Sequence, residues 1–386
     1  MRLALWCTSY FAGFGGAEKF VNDLLNRFAA RGIETFLIAG ESERSSPDNP
    51  RYAPLYPAVR IYQNTFLNPF DYLGRPHVFV LKLFQYITAA IQVGFFLRKN
   101  KIDVVHLHFV SFDVLLLLLY KYLLRYRLVI TFTGSDIHLA ARNNFAGLKV
   151  RFALKHADCV TAVSQDLCAK LAALFGANPL YVPNGVDREQ LRHLGAVCPS
   201  PVDDDHLIYC GRLTPVKRVP FLIVAFYQCL ARGCERKLYI VGDGEEALRI
   251  KALIASYGLE DKVICVGALP HEQVVSAISR SRCLLLSSSS EGCPMVALES
   301  LALGRPVIAP DVGGLKDILI HGENGYLYPA DRQDLLREAI MSVAGNRTLA
   351  GLLGSKGPAS IAGKFELDAV VGHYCQIYGA MTHKAD

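Results

Sequence analysis

The chain has 386 residues, of which 52% are apolar and 20% charged, with 31 Gly and 18 Pro scattered along it. That composition excludes a disordered, collagen-like or low-complexity chain, and the length suits two domains, each able to bury its own core. The net charge of +6 is one-sided: residues 1–190 carry 21 basic and 14 acidic side chains (+7), whereas residues 191–386 carry 20 and 21 (−1).

Short apolar runs alternate with helical patterns from the start, the mark of βαβ units and parallel sheets. Leu3–Thr8 reads as a buried first strand, its apolar stretch too short for a secretory leader. Gly13-Phe14-Gly15-Gly16-Ala17-Glu18 then opens a helix over Ala17–Arg31. Backbone amides at such a helix start suit an anion, but the spacing is not G-x-G-x-x-G, which argues against a dehydrogenase. Thr35–Ala39 is the second strand, and residues 41–77 read as an irregular excursion before a long apolar helix. Leu83–Leu97 falls short of the about 18 apolar residues a membrane span needs, and Leu115–Leu119 is shorter still, so both read as core or interface helices. Val104–His108, Leu128–Thr133, Cys159–Val163 and Leu180–Val182 continue the strands. His106 is expected on the face opposite His108, as a satisfied core histidine.

The Pro, Ser and charge density between Asp187 and Asp205 reads as a linker, placed at 188–205 between a domain of residues 1–187 and one of 206–366. A second strand series follows, at His206–Cys210, Lys237–Val241, Val263–Val266, Cys283–Ser287, Val307–Ala309 and Tyr326–Tyr328. A last helix, about 367–386, is expected to return to the first domain. The eleven cysteines include no C-x-x-C pair and lie mostly in apolar runs, so they read as reduced thiols of a cytoplasmic protein. Asp203-Asp204-Asp205 has a metal-chelating spacing, yet it precedes a strand instead of ending one and reads as a solvated acidic turn.

The most chemically informative stretch runs from Ser287 to Glu299, through Glu291-Gly292-Cys293-Pro294-Met295-Val296. A strand ends in a polar loop, and Pro294 suits the first turn of a helix. Amides near 293–296 can then hold a diphosphate, with Glu291 ahead of it and Glu299 behind. Two carboxylates bracketing an anion site fit a sugar nucleotide, which carries hydroxyl groups on both sides of its diphosphate.

Glu291-x7-Glu299, with Gly304-Arg305-Pro306 and Gly313-Gly314 after it, resembles the nucleotide-sugar site of the retaining glycosyltransferases of family 4. The resemblance extends to Gly15-Gly16, to Val104-Val105-His106-Leu107-His108, to Pro183-Asn184-Gly185-Val186-Asp187, to Gly211-Arg212 with Lys217, and to Val241-Gly242-Asp243-Gly244. It covers nearly the whole chain in order. It implies an α/β GT-B fold, two Rossmann-like doubly wound domains facing across a cleft, and a hexosyltransferase needing neither metal nor other cofactor.

By position, the resemblance gives Glu291 the donor sugar's hydroxyls, Glu299 the ribose, and Arg212 and Lys217 the diphosphate. It gives His108 a positioning and charge-stabilising role near the anomeric carbon. Gly15, Gly16, Gly242, Gly292, Cys293, Pro294, Met295 and Val296 complete the donor set, and Asp136 and Asn184 stand on the acceptor side. Thr133 occupies the place of a histidine common in relatives, so the role of Asp136 is open. Backbone groups around Val266–Leu269 are expected to read the base. An epimerase or phosphorylase on the same architecture, or a non-catalytic sugar-nucleotide module, are the alternatives.

The acceptor falls to the first domain. Residues 75–101 combine Arg75, Lys82, Arg98, Lys99 and Lys101 with Phe79, Phe84, Tyr86, Phe95 and Phe96. That pattern is either a core helix with solvated ends or an apolar face for an anionic membrane. A glycan or lipid-linked acceptor in cell-surface polysaccharide synthesis follows from the second reading, at the inner membrane face. No basic stripe or motif indicates nucleic acid.

Overall fold

The computed structural model describes residues 1–7, 15–40, 60–64, 76–110, 114–134, 137 and 144–382. The chain divides into two compact units: Met1–Pro183 with Val370–Asp386, and Asn184–Ala369.

Among the described residues of the first unit, seven parallel strands take the order β3-β2-β1-β4-β5-β6-β7. These are β1 (Arg2–Cys7), β2 (Glu34–Gly40), β3 (Arg60–Asn64), β4 (Val104–His108), β5 (Arg127–Phe132), β6 (Cys159–Ala162) and β7 (Leu180–Tyr181). The central strands are apolar on both faces because helices cover both, so they read as continuous runs without alternation. Helix α1 (Gly16–Ala30) joins β1 to β2; α2 (Pro76–Lys99), α3 (Val114–Leu124), α4 (Asn144–His156) and α5 (Gln165–Phe175) precede β4, β5, β6 and β7.

In the second unit six strands run in the order β10-β9-β8-β11-β12-β13. They are β8 (Leu207–Cys210), β9 (Leu238–Val241), β10 (Val263–Gly267), β11 (Cys283–Leu285), β12 (Val307–Pro310) and β13 (Gly325–Tyr328). Helices α6 (Arg188–Val197), α7 (Val219–Leu230), α8 (Ala247–Ser256), α9 (His271–Arg280), α10 (Met295–Ala302), α11 (Leu315–Ile318), α12 (Gln333–Gly345) and α13 (Arg347–Ser360) pack around them, and α14 (Leu367–Thr382) follows. Strand order reverses between β1 and β4 in one sheet and between β8 and β11 in the other. Open α/β sheets bind ligands at that reversal, outside the carboxyl ends of the strands.

Three expectations change. The stretch 41–77 contains β3, a parallel edge strand on β2. The supposed linker 188–205 begins with α6: Asp187 caps it by accepting from the Gln190 amide at 3.0 Å, and Leu191 is buried. Composition signalled a linker because the Pro and Ser residues lie just beyond that helix. The apolar helix is longer than Leu83–Leu97, and His77–Lys99 is long and apolar enough to cross a membrane. Its Ala89, Val93 and Leu97 are nonetheless buried, and Tyr120 of α3 donates to the Ala90 carbonyl at 2.6 Å, so one face is committed to the unit.

From Val370 onward α14 belongs to the first unit, where it supplies a buried polar network. Tyr378 Oη lies 2.6 Å from His106 Nδ1, His106 Nε2 lies 2.6 Å from Thr131 Oγ1, and Thr131 reaches Thr161 at 2.6 Å. His106 is thus a satisfied core histidine, but it does not face away from His108. Residues two apart on a strand share a face, and the two rings lie tilted against each other with centroids 4.2 Å apart.

Burial, and secondarily the neighbouring His108, hold the His106 pKa well below its usual value, while burial alone brings His108 down to about 3. Both rings stay neutral in the folded state, whereas the unfolded chain protonates them below about pH 6.5. Stability therefore falls as pH drops through that value, by about 2 kcal/mol between pH 7 and pH 5 from His108, with His106 acting in the same direction. The only tryptophan, Trp6, is buried in β1 and reports on this unit. Urea unfolding followed by its fluorescence should show that loss, and His108→Gln should reduce it.

Candidate functional site

The loops leaving β8 and β11 meet at the second reversal point. After β8 the chain passes Gly211 and Arg212 into a 3₁₀ turn, Pro215–Lys217. After β11 it passes Ser287–Ser290 to Glu291. Lys217 Nζ donates to Glu291 Oε1 at 2.6 Å, and Ser288 Oγ donates to the same oxygen at 2.6 Å. The backbones are joined as well: Ser287 Oγ donates to the Lys217 carbonyl at 2.8 Å and the Ser289 amide to the Val216 carbonyl at 2.8 Å. Glu291 is only 9% exposed, so these donors are what make its charge tolerable there.

A third loop, after β12, completes the frame. The Gly314 amide donates to the Glu291 carbonyl at 3.1 Å, and Gly313 has φ +51°. A Cβ at Gly313 would stand 1.9 Å from that same carbonyl oxygen, so only glycine fits. Gly242, at the end of β9, is equally constrained: φ is +139° and a Cβ would meet the Gly211 carbonyl oxygen at 1.9 Å.

Pro294 stands one position before its expected place, with extended backbone as the cap of α10. Met295 and Val296 are the first helical residues, whose amides lie in the turn where no intrahelical carbonyl reaches. Asn184, expected on the acceptor side, belongs to the second unit, and its amide donates to the Cys293 carbonyl at 2.9 Å. Cys293 is buried, which pushes its thiol up to about 12 and leaves it unreactive. Gly292 is partly exposed.

Glu299, 5% exposed on α10, receives His271 Nε2 at 2.8 Å. Arg212 is exposed and its guanidinium has no partner among the described residues. His271 and Ser288 were not singled out from sequence. Ser288 stands three residues before Glu291, the one local hint, whereas His271 meets Glu299 across 28 residues of chain.

In the first unit, β1 and β4 are paired with Cys7 opposite His108. His108 is 2% exposed, and its Nε2 is buried with no hydrogen-bond partner among the described residues. With its pKa held near 3 by burial, the ring is neutral, so it offers a hydrogen bond and not the positive charge first expected. Gly15 also departs from expectation: its amide donates to Glu18 Oε2 at 3.0 Å, so that donor is already engaged. Gly16 is exposed as the first residue of α1. Asp136 lies outside the described residues.

The acidic triplet is occupied by cations. Asp203 accepts from Lys237 at 2.8 Å and Tyr239 at 2.7 Å, Asp204 lies 3.5 Å from Arg280, and Asp205 takes Arg282 at 2.6 Å. It is an ion-pair cluster ahead of β8, better than a merely solvated turn.

Two Rossmann-like units with their loops gathered at strand carboxyl ends define a GT-B glycosyltransferase fold. Residues 14–190 match the family described as Glycosyltransferase Family 4, and residues 196–357 match Glycosyl transferases group 1. The chain belongs to the family 4 glycosyltransferases. It is 25% identical to N-acetyl-alpha-D-glucosaminyl L-malate synthase of Bacillus anthracis, over 98% of this chain and 97% of that one. Among solved structures it resembles sucrose-phosphate synthase of Thermosynechococcus elongatus, with TM-score 0.81, 23% identity and full coverage of both chains (100% and 100%). It also resembles Anabaena HepE in complex with UDP and glucose, with TM-score 0.77, 16% identity, and 98% and 100% covered.

Lys217→Ala leaves the buried Glu291 carboxylate with Ser288 as its remaining side-chain donor and should cost about 2–3 kcal/mol in urea unfolding. Gly313→Ala should displace the Glu291 loop and cut transfer at least tenfold, while far-UV circular dichroism stays unchanged.

Proposed function

We propose that the protein is a cytoplasmic, retaining hexosyltransferase that moves a sugar from a nucleoside-diphosphate donor to a glycan or lipid-linked acceptor in cell-surface polysaccharide synthesis. The observation that carries this reading is the Lys217–Glu291–Ser288 cluster beside the start of α10, where a cation, a carboxylate and free helix-start amides share one strand edge. The nucleotide bound by HepE and the activity named for the Bacillus relative support it.

Glu291 accepts hydroxyls of the donor sugar and Glu299 those of the ribose, charge-assisted bonds that a mismatched sugar would leave unmade. A lysine has three donors, and Lys217 spends one on Glu291. The others, with the unpartnered guanidinium of Arg212, meet the diphosphate as its charge grows in the transition state. Each such donor is worth about 3 kcal/mol. The departing phosphate oxygen takes the acceptor proton, so attack comes from the face the leaving group vacates and the anomeric configuration is kept. Neutral His108, through its unbonded Nε2, positions the sugar.

Thermal shift against UDP-, GDP- and ADP-sugars identifies the donor: binding at 100 times Kd adds about 2.7 kcal/mol. Product NMR should then give the donor's own anomeric configuration, with nucleoside diphosphate released only when acceptor is present. Isomerised donor without acceptor would instead indicate an epimerase. Glu291→Ala should lower kcat by 10²-fold or more, on the order of losing one preorganised transition-state contact; unaffected turnover would refute the role of Glu291, and donor binding with no turnover in the unaltered protein would indicate a non-catalytic module. Activity should survive EDTA, and strict dependence on added Mg²⁺ or Mn²⁺ would refute the metal-free mechanism.

A further inference from the structure

The first unit presents an apolar helix layer that the transfer reaction does not use. On α2 the side chains of Val80, Phe84, Ile87, Ile91 and Phe95 are 47–70% exposed. At 100° per residue they form one stripe along the helix, opposite the buried Ala89, Val93 and Leu97. The helix is therefore apolar on two faces, one packed into the unit and one open. Right-handed crossovers place α3 and α4 in the same layer. Leu119, Tyr122 and Leu123 of α3 and Leu148 and Phe152 of α4 extend the exposed surface.

Charge decides what such a surface fits. Helices α2, α3 and α4 contain no Asp or Glu at all, but carry Lys82, Arg98, Lys99, Lys121, Lys149, Arg151 and Lys155. Helix termini alone do not explain this, because a dipole that favours cations in the last turn equally favours acids in the first, and none of the three has one. Lys121 is neutralised by Asp158 at 2.9 Å. Arg98, Lys99, Lys101 and Arg125 are exposed and have no acidic partner among the described residues. A second copy of the same face would bring like charges together, while an anionic bilayer meets both the apolar stripe and the cations.

We infer that the α2–α3–α4 layer docks in the plane of an anionic lipid leaflet, with Phe84, Ile91 and Phe95 entering the acyl boundary and the cations meeting lipid phosphates. The buried inner face of α2 keeps it lying on the membrane and not crossing it. The inference does not rest on the transferase reading, since vesicle binding is measured without donor or acceptor.

The test is co-sedimentation of the full chain with phosphatidylcholine vesicles and with vesicles containing about 30% phosphatidylglycerol, at low and high salt. Each cation near an anionic surface contributes about fivefold in affinity. The expected result is binding to the anionic vesicles at least tenfold tighter than to the neutral ones, weakening with salt. Arg98→Glu/Lys99→Glu/Lys101→Glu should reduce it at least tenfold, and Phe84→Gln/Phe95→Gln should do likewise. Unchanged circular dichroism and thermal midpoint would confirm that both variants fold. Equal partition onto both vesicle types would overturn the proposal. So would a lipid-independent dimer by light scattering that Phe84→Gln/Phe95→Gln dissolves.

Discussion

A carboxylate nine-tenths buried at the end of a strand is unstable unless donors reach it, and at Glu291 they come from two directions. Ser288 belongs to its own loop, but Lys217 belongs to the loop after β8, 74 residues earlier. Satisfying one charge therefore ties two strand ends together, and the serine-to-carbonyl bonds on either side turn that tie into a shared backbone. Gly313 and Gly314 bring the loop after β12 onto the carbonyl of the same residue. The frame at the reversal point is held together by the same charge that it buries.

The alternation of apolar runs with helical periods made both sheets legible, because strands buried on two faces leave continuous Val, Leu and Ile. Edge elements were less so. Strand β3 has only Ile61 between polar or amphipathic neighbours, too short an apolar signal to mark a strand. Helix α6 did carry its start signal in Asp187 and its buried anchor in Leu191, but the prolines beyond Val197 dominated the composition. His106 lies on the face of His108 because a strand's period of two puts positions 106 and 108 together. Glu291, Lys217 and Glu299 were visible as motif residues, whereas their partners Ser288 and His271 required the tertiary arrangement.

Acids in this chain serve three ends that sequence separates poorly. Asp203, Asp204 and Asp205 each answer a Lys or Arg and hold the start of β8. Glu18 turns back on its own helix and uses the Gly15 amide. Glu291 and Glu299 are buried on either side of the start of α10, and each meets a side-chain donor from a distant segment, Lys217 and His271. Number and spacing of carboxylates do not distinguish these cases; the identity of the nearest donor does.

The second unit is an insertion in the first. Its two ends run side by side, the Val186 amide donating to the Phe365 carbonyl at 2.9 Å and the Leu367 amide returning to Val186 at 3.1 Å. The network around His106, by contrast, waits for Tyr378, 272 residues later. At about 5–20 residues per second of synthesis, that interval lasts tens of seconds. During it the strands of the second unit are made, while His106 in the first has Thr131 beside it but lacks Tyr378. On the ribosome, the unit made first is thus the one completed last.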